Sequence, residues 1–488
     1  MRKRLMCLSI LLLGVPLVRP AAAQQSAPPE TSSAPGIQVA RTTDDLRERI
    51  LLDKIDELEK RISDLEARDA SAAAPAAPAA APAPAAEAPK ADDPQASGSA
   101  APAPTPAPAA PPTWSVGPID FSGTLDGYYN LNFNHPSSPF GNGNNNETNI
   151  LYNFNIPAHQ FSLNLAKLGM SHAPDPVGFE FDLGYGEAMT AINSVSSDTG
   201  FDKFVEQAYV SFKPAKAKGA ELDFGKFVTS AGAEVIESYT NWNYSRSLLF
   251  AWAIPYYHFG LRGTVPVGKH WVVGGQLVNG WNSTVDNNTG KTIGVTAMGT
   301  YSKASLMIDW YGGPENTGTN QGWRHLLDTT LTLTPMSKIA AYINFDYGRA
   351  RLFNSFVPDN TLVEYNGIAA AVHFMPTSKW SFTPRYEWFS DHDGFATLGA
   401  NSAYTDGDPV KQHLQEFTAT AEYKFLEGLL WRGEYRYDWS DQPFFVKGMP
   451  PCQTPFSLAA CPGDFGLGNS KNQSTITFAM VAYFGPKR

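Results

Sequence analysis

From Trp114 onward the side chains alternate with a period of two. In 431–439, Trp431, Gly433, Tyr435, Tyr437 and Trp439 share one face, and Arg432, Glu434, Arg436 and Asp438 share the other. Successive side chains on a strand point to opposite sides, so this segment has one apolar and one polar surface. The same pattern recurs in 121–133, 179–185, 380–388, 416–425 and 476–484. About sixteen such strands are expected, the first near 119–134 and the last near 471–484. A soluble sandwich alternates too, but it has no reason to sort its connections by length. Here short links (213–218, 267–269, 335–338, 376–378, 426–428) alternate strictly with long polar ones. Short turns on one side and long loops on the other are the mark of a sheet inserted into a membrane from one side.

The expected fold is therefore all-β: a transmembrane, antiparallel, up-and-down β-barrel of about sixteen strands. Composition agrees. Only 17% of residues are charged, against roughly 25% in an average globular chain. After the first twenty residues no stretch approaches the roughly 18 apolar residues of a transmembrane helix, which excludes a helical polytopic protein. A formal charge of −10 argues against a nucleic-acid partner. Three cysteines cannot build a disulfide miniprotein or a zinc cluster. In hydrocarbon every backbone polar group must be paired, and for strands only closure achieves that. The polar faces then line a wet lumen, and Trp271, Trp310, Trp380, Trp388, Trp431 and Trp439 near strand ends fit two interfacial girdles. Eight strands pack solid, whereas about sixteen leave a channel.

Before the barrel (114–488) four zones are expected. Residues 1–23 read as a signal peptide, with Arg2, Lys3 and Arg4, an apolar run, and Ala21, Ala22 and Ala23 before the cut. A disordered segment, 24–42, follows. In 43–69, Leu51, Ile55, Leu58, Ile62 and Leu65 alternate spacings of four and three, the seam of a periplasmic coiled coil. A solvated amphipathic helix is the alternative, since the seam is under three heptads. Residues 70–113 are Ala/Pro-rich and too poor in apolar surface to fold, a spacer reaching on the order of 130 Å. With Cys7 in the signal, Cys452 and Cys461 remain as an even pair in an oxidising compartment, and a short loop disulfide is expected. Two free loop thiols are the alternative.

The link 228–255 differs from the other, Asn- and Gly-rich loops. It carries Glu234, Glu237, Trp242, Tyr244 and Arg246, then the apolar run Leu248, Leu249, Phe250, Ala251 and Trp252. Such a loop needs a surface to pack on. It is expected to fold inward and narrow the pore, with Glu234, Glu237 and Arg246 at the constriction. Packing outside on neighbouring loops is the competing reading. On the strand register, Arg262, Arg385, Arg432, Arg436, Glu387, Glu416 and Glu434 belong to the pore wall. Inward acids outnumber bases, which favours weak cation preference, unless neighbouring Arg and Glu neutralise one another as ladders. No catalytic motif, metal set or cofactor signature stands out. A barrel hydrolase built on His258, His373 or His413 would need partners that spacing alone does not reveal.

Four stretches, Gly225-Lys-Phe227, Asn241-Trp-Asn-Tyr-Ser-Arg-Ser-Leu-Leu-Phe250, Ile254-Pro-Tyr-Tyr-His-Phe-Gly-Leu-Arg262 and Val278-Asn-Gly-Trp281, resemble the OmpL-like β-barrel porins of bacterial outer membranes. The resemblance covers most of 114–484 and implies an outer-membrane pore. An N-terminal coiled coil before the barrel is similar to other porins that place such a segment in the periplasm. One departure is that Gly485, Pro486, Lys487 and Arg488 follow Phe484, where such barrels tend to end on an aromatic residue. The expectation is a passive diffusion channel for small hydrophilic solutes and ions, surrounded by outer-membrane lipid, homotrimeric, with no cofactor. A tether that contacts peptidoglycan through the coiled coil, with an incidental pore, is the competing function.

Overall fold

The computed structural model describes residues 114–136, 148–193, 200–353, 358–397, 410–448 and 469–485. The expected signal peptide, 24–42 segment, coiled coil and Ala/Pro linker lie outside them, as do Cys452 and Cys461.

Sixteen strands follow the period-two segments: β2 (Ile119–Asn132), β3 (Phe161–His172), β4 (Val177–Tyr185), β5 (Val205–Phe212), β6 (Glu221–Val228), β7 (Tyr257–Val267), β8 (Trp271–Val278) and β9 (Thr292–Tyr301) come first. Then come β10 (Ala304–Pro314), β11 (Trp323–Met336), β12 (Ile339–Leu352), β13 (Thr361–Phe374), β14 (Trp380–Asp391), β15 (Gln412–Leu426), β16 (Leu429–Ser440) and β17 (Asn472–Phe484). Each pairs antiparallel with the next, and β17 pairs with β2, Phe484 opposite Gly123 and Thr475 opposite Asn132. Closure leaves no open edge, so the backbone groups of the wall are satisfied within it. A three-residue strand, β1 (Trp114–Val116), adds a ribbon on the start of β2, with Trp114 opposite Phe121. The sequence reading missed it because three residues carry no periodic signal.

Burial is inverted relative to a soluble protein. On β12, Ile343 is 44% and Phe345 41% exposed, while Asn344 and Asp346, which alternate with them, are 1% and 0% exposed. Every strand that alternates this way must face an apolar solvent outside. Trp271, Trp380 and Trp431 lie toward the short-turn ends, and Trp310, Trp388 and Trp439 toward the long-loop ends, which makes two aromatic belts. Packing within a belt is direct: the Trp380 ring is 4.8 Å from Tyr423. The turns are tight. Gly428 has φ +85°, and a Cβ there would sit 2.6 Å from the Tyr483 carbonyl oxygen, so only glycine closes the β15–β16 hairpin without strain.

Because Phe345 sits mid-strand on the outward face, Phe345→Arg is expected to cost about 2–4 kcal/mol in lipid vesicles. Urea unfolding in vesicles measures it, and a loss below about 0.5 kcal/mol would be incompatible with a lipid-facing position.

Candidate functional site: the obstructed bore

The chain leaves β6 at Val228 and does not return directly to β7. Gly232, at φ +94°, turns it inward, where bonds to the wall hold the link 229–256 across the barrel. On one side the Ser230 hydroxyl donates to Asp309 of β10 (2.7 Å), and the Ala233 N–H donates to Asn344 of β12 (3.3 Å). On the other side the N–H groups of Tyr244 and Ser245 donate to the two carboxylate oxygens of Glu434 on β16 (2.6 and 2.9 Å). The Tyr244 hydroxyl donates to Asp126 of β2 (2.9 Å), and the Asn243 side-chain amide donates to Thr420 of β15 (2.7 Å). The link therefore bridges opposite parts of the inner wall.

Three wall arginines hold it. Arg385 pairs with Glu234 of the link (2.6 Å) and with Glu416 and Glu387 of the wall (3.1 Å each), and donates to the Ser245 carbonyl (2.8 Å). Arg432 donates to the carbonyls of Ser238 and Asn241 (2.5 Å each) and pairs with Glu422 (2.7 Å). Arg436 donates to the Arg246 carbonyl (2.7 Å) and pairs with Asp438 (2.7 Å). A guanidinium has five donors in a rigid fork, which suits it to gathering several backbone carbonyls at once. Each of the three is 1% exposed. They face inward, but link backbone covers them rather than open water.

Arg246 turns back on its own link, donating to the carbonyls of Val235 (3.1 Å), Tyr244 (2.5 Å) and Ile236. Its guanidinium lies 4.8 Å from the Phe154 ring centre. Glu237 pairs with Lys167 of β3 (2.5 Å), and Lys167 also reaches Asp182 (2.8 Å) and Glu206 (3.0 Å). Lys167 was not singled out from the sequence: period two puts it on the face of Phe161 and Leu163, and the register shift at which Asp126 pairs with Leu165 and Gly127 with Leu163 turns it inward.

Two further segments enter the bore, and neither was expected. Within 148–160, Leu151, Tyr152 and Phe154 are buried, and the Asn153 amide donates to the Ala251 carbonyl (2.6 Å). The short helix Glu187–Asn193 buries Ala188, Met189 and Ile192. Leu151, Phe154 and these three helix residues join Trp242, Leu248, Leu249, Phe250 and Ile254 in one apolar cluster inside the polar wall. The available signal was the aromatic and aliphatic run Ile150, Leu151, Tyr152 and Phe154 beside Asn-rich sequence.

The inner wall is unevenly covered. Inward residues of β14–β16, such as Thr383, Arg385, Thr418 and Arg436, are buried, whereas Arg262 and Thr264 of β7, Gly274 of β8 and Thr296 of β9 are half-buried. Arg262 pairs with Asp223 of β6 (2.8 Å) and lies against the Tyr209 and Phe227 rings. Water can reach the wall on this side.

The three candidate histidines lie on separate strands and do not converge. His258 of β7 stacks on Tyr311, His373 of β13 contacts the Thr383 hydroxyl (2.8 Å), and His413 of β15 stacks on Trp388. Among the described residues, no group of three His, Cys, Asp or Glu side chains is placed to hold a metal ion.

A closed antiparallel sheet, apolar outside and polar inside, with a loop laid across its bore, defines an outer-membrane β-barrel of the porin class. The family model described as "Putative beta-barrel porin-2, OmpL-like" matches residues 118–484. The chain belongs to that family and is an outer-membrane porin. Among solved structures, an anion-selective porin from Comamonas acidovorans is 9% identical, with a TM-score of 0.48 over 75% of this chain and 99% of that one. Outer-membrane OmpT of Vibrio cholerae is 11% identical, with a TM-score of 0.47 over 76% and 100%. Salmonella typhi OmpF is 13% identical, with a TM-score of 0.45 over 75% and 97%. No curated protein matches the chain.

Proposed function

We propose that this porin passes small hydrophilic solutes and ions by passive diffusion, with the link 229–256 as its constriction. The observation that carries the reading is the bridging of the bore by that link, bonded to Asp309 and Asn344 on one side and to Glu434 and Asp126 on the other. Glu234, Glu237 and Arg246 place charge at the narrowed level. Arg385, Arg432, Arg436, Glu416 and Glu434 act mainly as anchors of the link, because their charges are spent on each other and on backbone. Charge selectivity then falls to the half-buried wall of β7–β9, where Arg262 is balanced by Asp223 of the neighbouring β6, and the excess of acid over the whole inner wall gives a weak cation preference.

The chain acts as a homotrimer in this reading and performs no catalysis. Its N-terminal segment lies in the periplasm, where the coiled coil reaches toward peptidoglycan, and Cys452 and Cys461 are joined in a loop disulfide.

Planar-bilayer recording tests the channel. The full chain should conduct, and a chain lacking residues 24–112 should conduct equally, with a small reversal potential of cationic sign under a salt gradient. Loss of conductance on that truncation would instead favour the tether reading, and clear anion selectivity would overturn the cation preference. Liposome swelling across sugars, amino acids and phosphates identifies the solute class. Lipase and protease assays on the purified porin should remain at background.

A further inference from the structure

We propose that lysines make the short-turn mouth of this porin an anion-gathering vestibule, and that the channel therefore conducts asymmetrically. Five consecutive turns, 213–220, 268–270, 302–303, 337–338 and 375–379, close the hairpins from β5–β6 to β13–β14 at that end. None of them contains Asp or Glu, and each contains lysine. Lys216, Lys218, Lys269, Lys303, Lys338 and Lys379 are exposed. Among the described contacts these six have no ion pair: Lys338 donates to the Pro376 carbonyl (3.2 Å), and it is Lys213 that pairs with Glu221 of β6 (3.3 Å). The other two short turns add little acid. Asp175 lies in one, and Glu427 in the other pairs with Lys424 (2.8 Å).

The opposite end does not repeat this arc of one sign. Loop-side charges are mixed, with Lys291 paired to Asp286 and Lys411 to Asp393 (3.6 Å). Sixteen tilted strands about 4.8 Å apart give a rim radius on the order of 15 Å. The Debye length is about 30 Å at 10 mM salt and about 3 Å at 1 M. In dilute salt the lysine potential therefore spans the opening, concentrating anions there and depleting cations. In concentrated salt it is confined to the side chains themselves.

A charged mouth in series with an oppositely biased bore has a preferred direction. When the loop side is positive, anions are drawn from the lysine mouth into the bore and cations collect against that mouth, so the path fills with carriers. The reverse voltage empties it. Current is then larger with the loop side positive, and chloride, small carboxylates and phosphates entering from the turn side share the advantage. The inference rests on the porin reading for its open water path and extends it to the turn-side mouth.

The test records the full-length porin in phosphatidylcholine bilayers, which bring no net anionic headgroup to the turns. In about 10 mM KCl the currents at opposite voltages should differ about two- to threefold, and in about 1 M KCl they should be equal. Replacing all six lysines by glutamine (Lys216→Gln, Lys218→Gln, Lys269→Gln, Lys303→Gln, Lys338→Gln and Lys379→Gln) should bring the dilute-salt ratio to about one. Replacing the same six by glutamate should invert it, and by arginine should preserve it. Heat-modifiable migration on gels establishes that each variant is folded. Equal currents from the intact chain in dilute salt overturn the proposal. So does a ratio unaltered by the glutamine changes, or one that persists in concentrated salt, where shape rather than charge would set it. A chain that passes no current fails as a porin, whereas one that conducts symmetrically fails only here.

Discussion

Removing residues 234–243 is expected to raise single-channel conductance several-fold. The deleted stretch includes Glu234, Glu237 and the carbonyls of Ser238 and Asn241 that Arg432 gathers. Without it the inner faces of β14–β16 become wetted wall, and sixteen strands enclose room for a wide aqueous passage. Selectivity should change together with conductance, because Arg385, Arg432 and Arg436 would meet permeating ions for the first time. The comparison is made in planar bilayers against the intact chain, with heat-modifiable migration on gels confirming that the barrel is folded. Unchanged conductance would mean that the link does not narrow the path.

Arg385→Met is expected to cost about 3–5 kcal/mol of stability. The side chain is 1% exposed and stands between Glu234, Glu387 and Glu416, of which Glu387 is fully buried and Glu234 only slightly exposed. Removing the cation leaves those carboxylates desolvated and unpaired, and that penalty exceeds the modest net value of the pairs themselves. Arg436, 3.9 Å from Glu416, is too far to take its place. Urea unfolding measures the loss, and Glu234→Gln added to Arg385→Met should restore part of it, since close partners do not behave additively. A cost below about 1 kcal/mol would show that water already reaches this cluster.

The wall was legible because its rule is local. Any strand in a barrel puts residue i and residue i+2 on the same side, so nine residues such as 431–439 are enough to assign both faces, and link lengths supply the handling of the two ends. The strands accordingly fall within a few residues of where the alternation puts them: 119–132 for an expected 119–134, and 472–484 for 471–484. The link after β6 was legible as unusual from its composition.

What the inner residues touch was not legible. Alternation places Arg385 inside, but only the folded chain brings Glu234 to it, across 151 positions, or Ser238 to Arg432, across 194. Strand number likewise bounds the width of a bore and leaves open how much of it loops fill; here Leu151, Phe154, Met189 and Phe250 occupy space that strand counting assigns to water.

Alternation, glycine turns and alternating link lengths are properties of neighbouring residues, and they sufficed to specify a lipid-facing cylinder with a polar interior. The partition of that interior into buried anchor and wetted wall depends on contacts between distant segments, whose energies come from desolvation and pairing in three dimensions. Only the tertiary structure decided that Arg385, Arg432 and Arg436 carry backbone while Arg262 remains within reach of water.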